Sequence, residues 1–131
     1  MGAVFEINKM TRKLKFRYFL LFDKQFVYWD LKNSNHPTPD TFGYYGGISE
    51  PQQFTGLKDK NNKEIYEGDI LYSIDDFADD KHSAIFTVVY DEYTWVFRMK
   101  GDHKGGHSWL EINKDCEIIG NIFENPELLK T

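Results

Sequence analysis

The stretch Gln53–Ile70, QFTGLKDKNNKEIYEGDI, organises the rest of the chain. It begins as an extended segment, turns through the charged residues Lys58–Lys63, and returns as a short strand at Ile65–Tyr66. Asparagine side chains tolerate a positive φ and hydrogen-bond to their own backbone, which suits the tip of such a turn. The three residues Glu67–Asp69 then predict a corner, after which a longer apolar strand begins.

The corner contains the residue types that a sharp change of direction needs. Gly68 can adopt a positive φ without steric cost, and the carboxylate of Asp69 can accept hydrogen bonds from neighbouring backbone amides. The apolar strand Ile70–Ile74 follows immediately. We therefore predict a structural role for five residues of the stretch: Thr55, Gly56, Asp59, Gly68 and Asp69.

Periodicity predicts further strands on both sides of this stretch. Alternating polar and apolar residues, rich in aromatics, predict a β-hairpin over Leu14–Leu31. A second hairpin is predicted from Ala84–Tyr90 and Tyr93–Met99. The glycines of KGDHKGG predict a flexible loop over Lys100–Gly106, and the last strand is predicted at Glu117–Phe123.

The composition favours a mainly β fold. The chain contains 11 Phe, 8 Tyr and 3 Trp, and aromatic side chains pack well on pleated sheets. We expect a small SH3-like barrel with Trp109–Ile112 contributing, an N-terminal β-hairpin lobe, and a short C-terminal helical turn at Glu127–Leu129. The expected divisions are a flexible N-terminal extension over residues 1–13, a hairpin and loop lobe over 14–56, and a barrel lobe over 57–131.

Four segments of the sequence together resemble the YopX family. They are KFRYFLLFDK at Lys15–Lys24, FTGLKDKNNKEIYEGDI within the opening stretch, VVYDEYTWVFR at Val88–Arg98, and EIIGNIFENPELL at Glu117–Leu129. They occur in the order of the family's opening strand, signature, central hairpin, and closing strand with a short helix. The resemblance implies an intracellular, β-rich protein encoded by phages or prophages of Gram-positive bacteria. It implies no agreed activity and no catalytic residue.

The charge of the chain is unevenly distributed. Its net charge is −5, but residues 1–17 carry five basic side chains and one acidic side chain, a net of +4, so the remainder carries −9. Such a basic segment can contact nucleic acid or an acidic partner, or it can be the cationic solvent face of a strand. With the neighbouring aromatics it gives a candidate interaction surface: Lys15, Arg17, Tyr18, Tyr28, Trp29, Tyr44 and Tyr45.

The sequence lacks the motifs of the common enzyme classes. It has no GxSxG, HExxH, paired-cysteine or Walker pattern. The acidic run Asp75–Lys81 lacks the ligand spacing and glycine of a calcium loop. His103 and His107 are four residues apart in a glycine-rich segment without a third ligand, and Cys116 is typical of a small buried hydrophobe. We therefore expect no catalytic residue, no metal and no cofactor.

These patterns favour a non-enzymatic interaction or assembly module that binds a protein partner or associates with itself. The alternative is a nucleic-acid-binding accessory protein that uses the basic, aromatic N-terminal hairpin, although the acidic net charge disfavours it. The apolar run Tyr18–Phe22 is shorter than the roughly 7–15 residues of a signal-peptide core. We expect a protein of the bacterial host's cytoplasm, with no membrane partner.

Overall fold

The computed structural model describes residues 14–30, 47–74, 83–103 and 106–129. The elements in these ranges are β1 (Lys15–Leu20), β2 (Gln25–Asp30), β3 (Gln52–Lys58), β4 (Glu64–Tyr66), β5 (Asp69–Ile74), β6 (Ser83–Asp91), β7 (Val96–His103), β8 (Gly106–Glu111), β9 (Glu117–Asn121) and a 3-10 turn (Pro126–Leu129). No helix in these ranges is long and apolar enough to cross a membrane. The predicted extension over residues 1–13, Tyr44, Tyr45 and the acidic run Asp75–Lys81 lie outside the described residues.

The strands form two antiparallel sheets. The first has the order β2-β1-β3-β4, and the second, which curls into a half-barrel, has the order β8-β7-β6-β5-β9. The predicted mainly β fold, with a barrel-like sheet, an N-terminal hairpin and a short C-terminal helical turn, is confirmed. Over the described residues β8 and β9 are the edges of the half-barrel. The SH3-like assignment and the divisions at residues 14 and 57 stay predictions.

The predicted flexible loop over Lys100–Gly106 is wrong at both of its ends. β7 continues to His103 and β8 begins at Gly106, so that His103 pairs with Gly106 across a hairpin. Gly101 is buried, and a Cβ there would lie 3.0 Å from the ring of Phe86 on the neighbouring strand. A side chain at position 101 would crowd this ring, so the glycine marks close packing between neighbouring strands and not a loop.

The hydrophobic core spans both sheets. Its fully buried members are Ile65, Leu71, Phe86, Val88, Met99 and Cys116, with Leu110, Ile112 and Ile118 packed against them. Ile65 comes from β4 of the first sheet, whereas the other members come from the half-barrel or from the connection between β8 and β9. The prediction that Cys116 is a buried hydrophobe is confirmed. A single set of apolar contacts thus fastens the first sheet to the half-barrel.

The corner at Gly68 directs the chain from the first sheet into the half-barrel. Its φ is +86°. Its amide donates to the carbonyl of Val88 at 2.9 Å, and its carbonyl accepts from the amide of Ile122 at 3.0 Å. A Cβ at this position would clash with Nε2 of Gln52. Glycine is required here by the backbone conformation and by the lack of space.

Asp59 fastens the β3–β4 turn to β9. Its Oδ1 accepts the amides of Asn61 and Lys63, each at 2.9 Å, and its Oδ2 accepts the amide of Ile118 at 3.0 Å. Burial raises the pKa of Asp59, but the three amide hydrogen bonds outweigh burial, and the pKa lies below its ordinary value. The folded state therefore favours the charged carboxylate.

Gly68→Ala and Gly56→Ala separate backbone strain from steric clash. Both glycines have nearly the same φ, +86° and +87°, but a Cβ at Gly56 would meet nothing within 4 Å. We expect Gly56→Ala to lower the free energy of unfolding by about 1–2 kcal/mol through strain alone. Gly68→Ala should cost about 1–3 kcal/mol more because Gln52 must move. Urea denaturation measures both, and equal losses would contradict the clash.

Asp59 should make the fold sensitive to acid. A carboxyl group whose pKa is lower in the folded than in the unfolded state binds fewer protons when folded, so its stabilisation is present above the unfolded pKa of about 3.9 and is lost as pH falls through the folded pKa. We expect Asp59→Asn to be less stable at pH 7, because asparagine has one side-chain oxygen and cannot accept the amide hydrogen bonds that both oxygens of Asp59 accept. We also expect this variant to lose less stability below pH ~4. Glu92→Gln, at an exposed turn position, is the control. If the free energy of unfolding of Asp59→Asn fell below pH ~4 as steeply as that of the unsubstituted protein, this role would be contradicted.

Candidate functional site

An open cleft of about 1000 Å³ lies between β3 and the β6–β7 hairpin. Its apolar lining consists of Leu14, Phe54, Leu57, Tyr90, Trp95, Val96 and Phe97. We call it the aromatic cleft. Its volume is at the upper end of the range of ligand pockets, but its rim faces solvent, since the side chain of Trp95 is 77% exposed and that of Leu57 is 44% exposed.

A bulge in β3 forms one wall of the aromatic cleft. Phe54 pairs with Tyr66 and Lys58 pairs with Glu64, so three residues of β3 oppose one residue of β4. Gly56, at the centre of the bulge, supplies the positive φ. The hydroxyl of Thr55 donates to the carbonyl of Ile65 at 2.8 Å and accepts the amide of Leu57 at 3.1 Å. The bulge therefore turns Leu57 outward onto the rim.

The β6–β7 turn forms the opposite wall, and Asp91 holds its shape. The Asp91 carboxylate accepts the amide of Tyr93 at 2.9 Å, the hydroxyl of Thr94 at 2.8 Å and Nη1 of Arg98 at 3.0 Å. The Thr94 hydrogen bond, with help from the Tyr93 amide and Arg98, holds the pKa of Asp91 below its usual range despite partial desolvation. The turn backbone is closed by the amide of Trp95, which donates to the carbonyl of Asp91 at 2.8 Å.

Trp95 combines backbone strain with exposure. Its φ is +63°, in the left-handed region that suits glycine or asparagine and costs other residues roughly 1–2 kcal/mol. Its ring recovers little by burial, because most of the side chain is in solvent. Beside it, the rings of Tyr90 and Phe97 meet edge to face with centroids 5.3 Å apart. A bulky aromatic is therefore held at the mouth of the cleft against its conformational preference.

The rim of the aromatic cleft is acidic. Its charged residues are Glu64, Glu67, Glu111 and Lys58, a net of −2. Glu64 is partly neutralised by Nζ of Lys15 at 2.6 Å, and Glu111 lies 3.7 Å from Nε of Arg98 while remaining largely exposed. The arrangement suits a ligand that carries positive charge beside apolar groups.

The candidate interaction surface from the sequence does not form one face of the hairpin. Arg17 pairs with Tyr28, and Phe16 pairs with Trp29, on adjacent rungs of the β1–β2 ladder. Because side chains alternate between the faces of a sheet, Lys15, Arg17 and Tyr28 lie on one face, and Tyr18 and Trp29 lie on the other. The rings of Tyr18 and Trp29 are half-buried and stacked at 6.3 Å. The prediction of a single surface is wrong for this reason.

Arg17 is inside the protein, which corrects its place in that surface. Only 4% of the residue is exposed. Its Nη2 donates to Oδ1 of Asp69 at 2.8 Å and its Nε donates to Oε1 of Gln52 at 2.7 Å, while its guanidinium lies 4.2 Å from the ring centre of Phe26. Of the described candidates, Tyr28 alone is mostly exposed. Arg17 is therefore part of the scaffold.

The aromatic cleft was not predicted from the sequence. Trp95 and Val96 fell inside the strand predicted over Tyr93–Met99, and Leu57 fell beside the charged turn Lys58–Lys63. The start of that predicted strand is wrong, because Tyr93–Trp95 belong to the turn and β7 begins at Val96. The signal that points to the cleft is the turn DEYTW at Asp91–Trp95, which contains no glycine at the position that needs a positive φ. Among the described residues, no three His, Cys, Asp or Glu side chains gather in an arrangement that could hold a metal ion.

Comparisons with known proteins identify a family and a solved relative of this fold. The family model described as "YopX protein" matches residues 15–130. The crystal structure of protein EF1440 from Enterococcus faecalis is similar, with a TM-score of 0.53 and 25% sequence identity, over 92% of this chain and 100% of that chain. A search of curated proteins found no match.

Trp95→Asn should stabilise the fold. Asparagine tolerates the left-handed conformation, and the exposed indole contributes little burial, so we expect Tm to rise by about 2–5 °C, equivalent to roughly 1 kcal/mol. Tyr93→Asn is the matched control, because Tyr93 is 95% exposed in the same turn and has no positive φ; its Tm should change by less. A lower Tm for Trp95→Asn in thermal unfolding would show that indole contacts outweigh the strain.

Proposed function

The chain belongs to the YopX family, and on that premise we propose that it is a non-enzymatic interaction or assembly module. Its docking surface is the aromatic cleft, and its ligand is an extended segment of another protein. The family resemblance supports a phage-encoded accessory protein that acts in the cytoplasm of the bacterial host. The partner is then a protein of the host or of the phage.

The observation that carries this proposal is the strained, exposed Trp95. Strain of this kind persists where the surrounding structure enforces it, and it concentrates at functional sites. Tryptophan and tyrosine are also the residues that most often dominate binding energy at protein interfaces. Trp95 shares the rim with the exposed side chains of Leu57, Tyr90 and Val96, which together provide a contiguous apolar surface for a partner.

The charges of the cleft define the chemistry of the partner segment. Glu64, Glu67 and Glu111 favour lysine or arginine side chains, and the aromatic rings accept apolar side chains or the face of a guanidinium. An extended segment with both properties fits a cleft bounded by a strand and a hairpin. We therefore propose a basic, apolar segment as the ligand.

The described carboxylates with a shifted pKa support a binding role over a catalytic one. Perturbed acids often mark active sites, but here Asp59, Asp69 and Asp91 each accept hydrogen bonds from their own chain. Asp59 and Asp69 fasten the two sheets, and Asp91 shapes the β6–β7 turn. Each of these acids already serves the fold.

Nucleic acid is the less favoured ligand. Of the two basic residues in the hairpin surface of that alternative, Arg17 is buried against Asp69, and Lys15 is paired with Glu64. An acidic rim repels phosphate groups. Binding of single-stranded DNA that weakens steeply with salt would favour this alternative.

Partner binding by the unsubstituted chain and by cleft variants tests whether the aromatic cleft is the docking surface. The full chain, immobilised, should recover a defined protein from a lysate of the bacterial host, and Leu57→Asp and Trp95→Asn should weaken binding to that purified protein by at least about thirtyfold, as expected at an interface hot spot. Phe22→Asn is the matched control, because Phe22 is a 75% exposed aromatic on the β1–β2 turn, outside the cleft.

Two results would contradict the proposal. The cleft variants could bind the recovered protein as tightly as Phe22→Asn does, which would place the docking surface elsewhere. Alternatively, purified full chain could turn over a substrate in a screen of hydrolase and transferase reactions. Circular dichroism of each variant shows whether it remains folded, so that weaker binding can be attributed to the lost side chain and not to unfolding.

A further inference from the structure

A second, smaller groove of about 410 Å³ lies between the first sheet and β9 of the half-barrel. We call it the inter-sheet groove, and it shares only Glu64 with the aromatic cleft. Its volume falls within the range of pockets that bind small molecules. The side chains on which its chemistry depends come from both sheets: Arg17, Tyr28, Tyr66 and Ile118.

Two buried side chains of the inter-sheet groove each have a hydrogen-bond donor that the fold leaves unused. Arg17 and Tyr66 are both 4% exposed. Arg17 donates through Nε and Nη2, but its Nη1 makes no hydrogen bond to any described residue, and neither does the hydroxyl of Tyr66. Neither atom is fully shielded from solvent. Both donors are therefore available to a molecule that enters the groove.

The two donors lie close together and favour an acceptor oxygen. The guanidinium carbon of Arg17 lies 4.9 Å from the ring centre of Tyr66, so one small ligand can contact both side chains. Burial raises the pKa of Tyr66 to about 12, with a further contribution from the charge of Glu64. The hydroxyl is therefore protonated at neutral pH and donates, as the guanidinium does.

Tyr28 adds an aromatic surface beside these donors. Its ring meets the ring of Tyr66 edge to face, with centroids 5.5 Å apart, and the residue is 55% exposed. The nearby ring of Phe26 is already covered by the guanidinium of Arg17, 4.2 Å from the ring centre. Tyr28 is therefore the ring that remains open to a planar group, and Ile118 of β9 lines the groove with it.

The charges of the inter-sheet groove favour a neutral ligand over an anion. Asp69 neutralises Arg17 at 2.8 Å, and Lys15 neutralises Glu64 at 2.6 Å. An anion would meet a lining that is already slightly negative, whereas a carbonyl oxygen accepts hydrogen bonds without adding charge. The charged lining residues carry a net of −1: Arg17, Lys63, Glu64, Asp69 and Glu124.

We propose that the inter-sheet groove binds a small, neutral, planar molecule that carries a carbonyl oxygen, with an aromatic amide as its simplest form. Nη1 of Arg17 and the hydroxyl of Tyr66 donate to that oxygen, and the ring of Tyr28 packs against the planar group. This binding site is separate from the docking surface at the aromatic cleft, so each proposal stands or fails without the other.

Titration of the full chain with benzamide, followed by NMR, tests the site. We expect saturable shifts of the backbone amides of Tyr28, Tyr66 and Gly120 at millimolar benzamide, and none at Val96 in the aromatic cleft. Tyr66→Phe should raise the Kd for benzamide about three- to tenfold, because it removes one hydrogen bond. Tyr28→Leu should raise the Kd at least about threefold, because the aromatic contact is lost.

A matched variant and three further probes make each outcome decisive. Tyr72→Phe removes a hydroxyl outside the groove and should leave the Kd unchanged. Tyr66→Phe should keep its Tm, because the hydroxyl contacts no described partner, so weaker binding would not reflect unfolding. Toluene lacks the carbonyl, acetamide lacks the ring and benzoate is charged, and each should bind more weakly than benzamide.

Three results would overturn the proposal. Benzamide could shift none of the amides around the inter-sheet groove, which would show that the groove does not take this class of ligand. Tyr66→Phe could bind benzamide with the Kd of the unsubstituted chain, or toluene could bind as tightly as benzamide. Either of these would show that the two donors contribute nothing to binding.

Discussion

The buried ion pair between Arg17 and Asp69 holds the two sheets in their relative positions. Arg17 belongs to β1 and Asp69 is the first residue of β5, and their closest atoms are 2.8 Å apart. Burying two charges costs several kcal/mol per ion unless other hydrogen bonds accompany the pair. Here the carbonyl of Glu67 accepts Nη2 of Arg17, and the amide of Tyr66 donates to Asp69. Burial raises the pKa of Asp69, and Arg17 opposes that shift.

The geometry of the corner depends on this pair. Gln52 accepts Nε of Arg17 through Oε1, and its Nε2 lies against the bare backbone of Gly68. Replacing Arg17 would therefore free Gln52, leave Asp69 buried without its cation, and loosen the corner. We therefore expect this pair to select one arrangement of the sheets more than it adds to the net free energy of unfolding. The arrangement that it selects places Ile65 of β4 in the core of the half-barrel.

Local chemistry explains which features the sequence could predict. Period two indicated the β1–β2 hairpin, and the strand–turn–strand pattern at β3 and β4 indicated that pairing, because both signals act within about ten residues. The partner of Arg17 is 52 residues away, so alternation alone assigned this side chain to solvent. Gly101 was assigned to a loop for a similar reason. A sequence pattern does not distinguish a glycine that is covered by an aromatic ring of the next strand from a glycine in a loop.

The aromatic cleft follows from how the two sheets are joined. They are fastened at Gly68, at Ile65 and at Asp59, and the rim between β3 and the β6–β7 hairpin carries no such fastening in the described residues. The fold can therefore tolerate strain there, and Asp91 confines it to one turn. The sequence pattern placed Trp95 inside the predicted strand Tyr93–Met99, whereas the structure places it in the turn before β7. Its exposure appears only when the backbone of the turn is known. The structure thus separates a fixed scaffold from a strained rim.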